Sequence, residues 1–145
     1  MSKPILVLNG PNLNRLGLRE PEVYGKETLA ALNERIEFRA RELQVPVEFF
    51  QSNHEGELID RIHAAADNAR GIILNPGGYT HTSVALRDAV ASISTPVIEV
   101  HISNIFARES FRHQTIVSGA CRGVISGLGT KGYLIALEFL AADTA

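Results

Sequence analysis

The chain has no tryptophan and one cysteine among its 145 residues. A lone thiol, Cys121, excludes an intrachain disulfide, so stability must come from an apolar core and a reducing compartment is suited. No hydrophobic run is long enough to cross a bilayer, and the opening "MSKPILVLNG" lacks the pattern of a cleaved signal peptide. A soluble cytoplasmic protein with no membrane partner is expected. Neither sign of charge dominates. With a formal net charge of -2 and a pI near 6.2, no global attraction for nucleic acid is expected. Lysine is confined to Lys3, Lys26 and Lys131, none inside an apolar strand run. Schiff-base chemistry, which favours a desolvated amine, is therefore not expected. Nucleotide signatures are missing too: no G-x-G-x-x-G follows the first strand, and no G-x-x-x-x-G-K-[ST] occurs. "GLGTKG" (127–132) comes after the last strand and reads as a turn. A serine hydrolase would need a G-x-S-x-G elbow, which is also absent.

What remains is an alternation. The hydrophobic share of 45% suits one compact domain over 1–145. "ILVLN" (5–9), "GIILN" (71–75) and "PVIEV" (96–100) are short continuous apolar runs, as buried parallel strands should be. "VPVEFF" (45–50), with Pro46 near its start, reads as an edge strand, and "RGVISG" (122–127) as a fifth strand. Helical spacing predicts helices over about 27–43, from Leu58 to Ala69, over about 83–93 and over 131–142. Ser52 and Glu55 have capping-box spacing before the second of these, and Thr82 and Ser83 compete to cap the third. The expected fold is α/β, a doubly wound five-stranded parallel sheet of flavodoxin-like order 2-1-3-4-5. The connection 10–26 is long for such a domain and fits a mobile lid. Within it "REPEVYG" (19–25) is expected to lie outside regular structure.

Ligands of open α/β sheets bind beyond the carboxyl ends of the strands, and that edge receives "NGPNLNRLG", "NPGGYTHTS" and "EVHISN". Glu99 and His101 alternate along a strand, so they share a face and the carboxylate could orient the imidazole for proton transfer. Asn12 and Asn75 each lie just beyond an apolar strand and are the most functional of the asparagines, whereas Asn14 and Asn104 also suit turns. "PGG" at 76–78 can present backbone amides to an anion or an enolate, or simply make a tight connection. Arg108 and Arg112 have i,i+4 spacing on an expected helical turn. Surface pairing is the simple reading of Arg108, and Arg112 is the better substrate anchor. Asp88 on the third helix could reach a site only if assembly brings that helix to it. Cys121 reads as structural. His81, His101 and Glu99 could be assembled into a metal site, but no H-x-x-x-H or H-E-x-x-H spacing supports one. A flavin-binding protein on the same fold, or a non-catalytic assembly protein, stays open.

Together, "LNGPNLNRLGLREPEVYG" (8–25), "QSNHEGELIDRIHAA" (51–65), "NPGGYTHTSVALRDA" (75–89), "EVHISN" (99–104), "RESFRH" (108–113) and "GLGTKGYLIAL" (127–137) closely resemble the type II 3-dehydroquinate dehydratase family over nearly the whole chain. The resemblance implies reversible anti dehydration of 3-dehydroquinate to 3-dehydroshikimate in the shikimate pathway, through an enolate. It also implies no organic cofactor, no metal, and a dodecamer built from trimers. On this resemblance Tyr24 matches the proton acceptor at C2 and Arg19 the cation that favours its phenolate. His101 matches the general acid at the C1 hydroxyl, with Glu99 orienting it, and Asn12 the residue that positions a water at the enolate oxygen. Asn75, His81 and Arg112 match hydroxyl contacts, Ile102 and Ser103 the carboxylate-binding segment, and Asp88 a residue lent to a neighbouring subunit's site. Gly78 stands where many members have alanine, which leaves loop rigidity in question.

Overall fold

Three strands of the sheet are buried along their whole length, and this decides the architecture. They are β1 (Ile5–Asn9), β3 (Gly71–Asn75) and β4 (Val97–His101). In the computed structural model, which describes residues 2–142, they form the centre of a five-stranded sheet of order β2-β1-β3-β4-β5. All neighbouring pairs are parallel, so this is the expected flavodoxin-like order. The half-exposed strands β2 (Val47–Gln51) and β5 (Gly123–Ser126) take the edges, as Pro46 beside β2 foretold.

Alternation along each central strand sends side chains to opposite faces, and a helix pair covers each face. Ile5, Val7, Ile73 and Val100 pack under α2 (Leu29–Glu42) and α5 (Lys131–Ala142). Leu6, Leu8, Ile72 and Leu74 pack under α3 (Glu55–Ala65) and α4 (Val84–Ala91). Each fully buried leucine or isoleucine contributes about 1.5–3 kcal/mol relative to exposure, so the two layers hold the strand ends firmly. Register then sets Asn9 beside Asn75 at the carboxyl edge.

Local chemistry corrects four expectations. α2 starts only at Leu29, because the Thr28 hydroxyl accepts from the Ala31 amide at 3.1 Å and caps it there. The Ser52–Glu55 capping box does not form. The Ser52 hydroxyl accepts from the His54 amide at 2.9 Å and donates to Glu57, while Glu55 accepts from Ser83 and so ties α3 to α4. "REPEVYG" contains a helical turn, α1 (Pro21–Tyr24), with Pro21 at the first position where its missing N–H costs nothing. Arg108 and Arg112 do not share a helical face: Arg108 is extended and separates the 3₁₀ turns Ile105–Ala107 and Ser110–Arg112. Between Thr82 and Ser83, it is Ser83 that caps α4, accepting from the Leu86 amide at 2.9 Å.

Candidate active site

Loops leaving β1, β3 and β4 meet around one cleft of about 190 Å³. The first two touch because Gly10 allows it. Its amide donates to the Asn75 carbonyl at 2.8 Å, and a Cβ there would lie 2.7 Å from the Pro76 carbonyl oxygen. Asn12 sits on the rim in the left-handed region, φ 72°, with its amide donating to Asn53 Oδ1 at 3.0 Å. That conformation suits asparagine and turns its backbone out of β1.

Asn75 is buried with its amide locked at both ends. Oδ1 accepts from the Gly77 amide at 3.1 Å, and Nδ2 donates to Tyr133 Oη at 2.8 Å. The Tyr133 hydroxyl donates in turn to Asn9 Oδ1 at 2.6 Å. Burial pushes the Tyr133 phenol well above its usual range, against the hydrogen bond from Asn75, so it serves as a neutral link. His81 Nδ1 lies 2.7 Å from the Gln114 carbonyl, an acceptor only. That partner assigns the proton to Nδ1 and leaves Nε2 for a ligand.

Tyr24 comes from α1 and packs partly against the core. Its Oη accepts from Arg108 Nη1 at 2.8 Å and from Arg19 Nη2 at 3.3 Å. Both guanidinium carbons also lie over the ring, 4.4 Å from its centroid for Arg19 and 5.2 Å for Arg108. Arg108 therefore belongs to the cleft and not to a surface pair: its Nη1 also reaches Ser103 Oγ at 3.2 Å, and its nearest carboxylate, Glu109, is 3.8 Å away. From the sequence, surface pairing is the simple reading of this residue, and it is not among the expected site residues. The available signal was its place a few residues beyond β4, on the rim where ligands bind.

His101 ends β4 and is nearly buried, with Nε2 on Glu99 Oε2. Nδ1 is thus the ring nitrogen left for a substrate. Glu99 is fully buried beneath it and does not line the cleft. Burial pushes the Glu99 carboxyl up, but hydrogen bonding and charge from His101, helped by the Thr80 and Ser118 hydroxyls, more than offset this and hold it below its ordinary value. Arg112 lines the cleft while Nε donates to Glu109 Oε1 at 2.8 Å. Ile102 and Ser103 form the wall next to His101, and Gly129 anchors the Ile102 carbonyl at 3.0 Å.

Of the residues singled out in the sequence, Asn12, Arg19, Tyr24, Asn75, His81, His101, Ile102, Ser103 and Arg112 surround this cleft, with Gly78 on its edge. Asp88 does not: it is exposed on α4, away from the cleft of its own chain. Asn104 serves a turn, accepting from the Phe106 amide at 3.1 Å, and Asn14 lies outside the lining. Cys121 is partly buried with its thiol pushed up to about 12, by burial first and by Glu99 second, which suits a structural residue. Among the described residues, no group of three or more His, Cys, Asp or Glu side chains is arranged to hold a metal ion.

Comparisons with known proteins converge on one family. A family model described as dehydroquinase class II matches residues 3–141. A 3-dehydroquinate dehydratase of Bacillus mycoides is 59% identical over 93% of this chain and 92% of its own. Crystal structures of type II dehydroquinases superpose closely. That from Propionibacterium acnes has a TM-score of 0.95 at 50% identity, covering 99% of each chain. That from Butyrivibrio crossotus has a TM-score of 0.95 at 48% identity, covering 97% of this chain and 99% of the other. On sequence and on fold alike, the chain belongs to the class II dehydroquinase family.

Proposed function

We propose that the protein catalyses the reversible dehydration of 3-dehydroquinate to 3-dehydroshikimate in the shikimate pathway, in keeping with relatives named 3-dehydroquinate dehydratase and type II dehydroquinase. The observation that carries this reading is the pairing of acid and base across one cleft: Tyr24 Oη beneath two guanidinium groups, and His101 backed by buried Glu99. Tyr24 takes the proton from C2, alpha to the ketone, and the electrons of that bond form an enolate. Arg19 and Arg108 aim fixed donors at Tyr24 Oη and meet charge without reorganisation. A water held by Asn12 donates to the enolate oxygen. His101 Nδ1 then protonates the C1 hydroxyl, which departs as water as the C1–C2 double bond forms, in the anti sense. No cofactor or metal takes part in these steps.

Binding uses the remaining lining. Asn75, His81 Nε2 and Arg112 contact substrate hydroxyls, and the Ile102–Ser103 segment receives the carboxylate. Asp88, exposed on α4 with Val84 exposed beside it, serves the cleft of another copy. Such an arrangement fits a homo-oligomer of trimers assembled into a dodecamer. Residues 10–26 act as a lid on the single domain and carry base and cation to the cleft together.

Absorbance of the conjugated enone product tests the reading directly. Conversion of 3-dehydroquinate that survives chelator and is insensitive to borohydride is the expected result. No conversion, with tight flavin binding instead, would overturn it.

A further inference from the structure

The Glu99 carboxylate has no exposed surface, and three groups besides His101 converge on it. Thr80 Oγ1 donates at 2.6 Å to Oε2, the oxygen that also meets His101 Nε2. Ser118 Oγ donates at 2.7 Å to Oε1, and Cys121 Sγ lies 3.7 Å from the same oxygen. Thr80 is itself fully buried, and its carbonyl accepts from the Ile116 amide at 2.6 Å, so one residue joins the β3 loop to the segment carrying Ser118.

This surplus of neutral donors answers a problem that the proposed chemistry creates. While His101 is protonated, imidazolium and carboxylate compensate each other. When His101 gives its proton to the leaving hydroxyl, Glu99 is left as a buried anion beside a neutral ring. An uncompensated buried carboxylate takes up a proton, and a protonated Glu99 could no longer draw a fresh proton onto His101 for the next turnover. The other ionisable or charged groups near Glu99 do not solve this. Cys121 stays a neutral thiol, and the Arg87 guanidinium on α4 donates to the Ile116 carbonyl at 2.7 Å and, among the described residues, forms no ion pair with Glu99.

We infer, on the reading of the site given above, that Thr80 and Ser118 are positioning residues that keep Glu99 charged and aimed at His101 throughout the catalytic cycle. They touch no substrate. They act through the carboxylate, by supplying hydrogen bonds that persist whichever way the His101 proton has gone.

The test compares the parent with Thr80→Val, Ser118→Ala and Thr80→Ser, over pH, on two readouts. Loss of a donor should move the acidic limb of the kcat profile upward by about one pH unit relative to the parent, because Glu99 then takes up a proton more readily while the Tyr24 site is unchanged. KM should change less than kcat, and Thr80→Ser should restore the limb. Carbon NMR of the Glu99 carboxyl in the ligand-free proteins should show the same upward displacement. This readout needs no turnover, so a failed 3-dehydroquinate assay of the parent refutes the function and still leaves the positioning role decidable. Profiles and titrations of folded Thr80→Val and Ser118→Ala that superpose on the parent would overturn the inference. So would a Thr80→Ser variant as impaired as Thr80→Val. If Thr80→Val does not fold, Ser118→Ala, at a half-buried site, carries the same comparison.

Discussion

Tyr24 meets two guanidinium groups that arrive from different parts of the chain, and the shorter bond comes from Arg108, whose simple reading from sequence is a surface pair. Tyr24→Phe keeps the ring that both cations cover and removes only the oxygen. Turnover should fall by roughly 10²–10⁴-fold with a much smaller change in KM, and a near-normal kcat in steady-state kinetics would sink the assignment. Arg108→Ala should lower kcat by about 10²-fold, the cost of one donor at a site of developing charge. Glu99 makes a second, thermodynamic prediction. Its native value lies below the unfolded 4.5, so its contribution to stability is complete above that pH and is lost as pH falls through the native value. The difference in urea midpoint between the parent and Glu99→Gln should therefore shrink as pH falls below 4.5. At Tyr133, loss of the hydroxyl strands two buried amides, Asn9 and Asn75. Tyr133→Phe should cost about 1–3 kcal/mol in urea unfolding.

At the scale of elements, the site depends on how closely two loops can approach. A side chain at Gly10 would collide with the Pro76 carbonyl, which is backbone and cannot swing aside. Gly10→Ala should part the loops carrying Asn12 and Asn75 and reduce kcat/KM along with stability. Gly78 is the opposite case. Nothing lies within 4 Å of a Cβ placed there, and its φ is not in the left-handed region. Gly78→Ala should stabilise by about 0.4–1 kcal/mol through the unfolded chain and leave kcat unchanged in the same assay. The strands and long helices were legible because their periodicities are strong. The turn at Pro21–Tyr24 and the broken segment around Arg108 were not, since short 3₁₀ and single-turn helices leave no periodic signature. The displaced capping box shows the same limit: Ser52 and Glu55 have the right spacing, yet Ser52 turns to nearby Glu57 and Glu55 to the tertiary partner Ser83.

At the scale of the whole molecule, Asp88 is exposed on α4 and lies outside the cleft of its own chain, so a role in catalysis would need a second copy. Exposed Phe106, Phe111 and Val84 add apolar surface suited to burial between copies. Sedimentation of the protein should show an oligomer. Mixing an inactive Tyr24→Phe variant with an inactive Asp88 variant, after dissociation and reassembly, should recover part of the parent activity. Absence of any recovery, with mixed oligomers formed, would remove Asp88 from the neighbouring site.

The strand order was an expectation that the structure settled. The sequence by itself determined the parallel sheet and the edge at which polar residues collect, because burial of continuous apolar runs admits few topologies. Its family landmarks also named most of the residues that line the cleft. Only the tertiary structure decided which side chains hold those residues in place. Arg108 on Tyr24, Tyr133 between Asn9 and Asn75, and Thr80 with Ser118 on Glu99 are contacts between segments far apart in the chain. Such partners are selected by packing geometry and by the cost of leaving a buried polar group unsatisfied, and neither is written in local spacing.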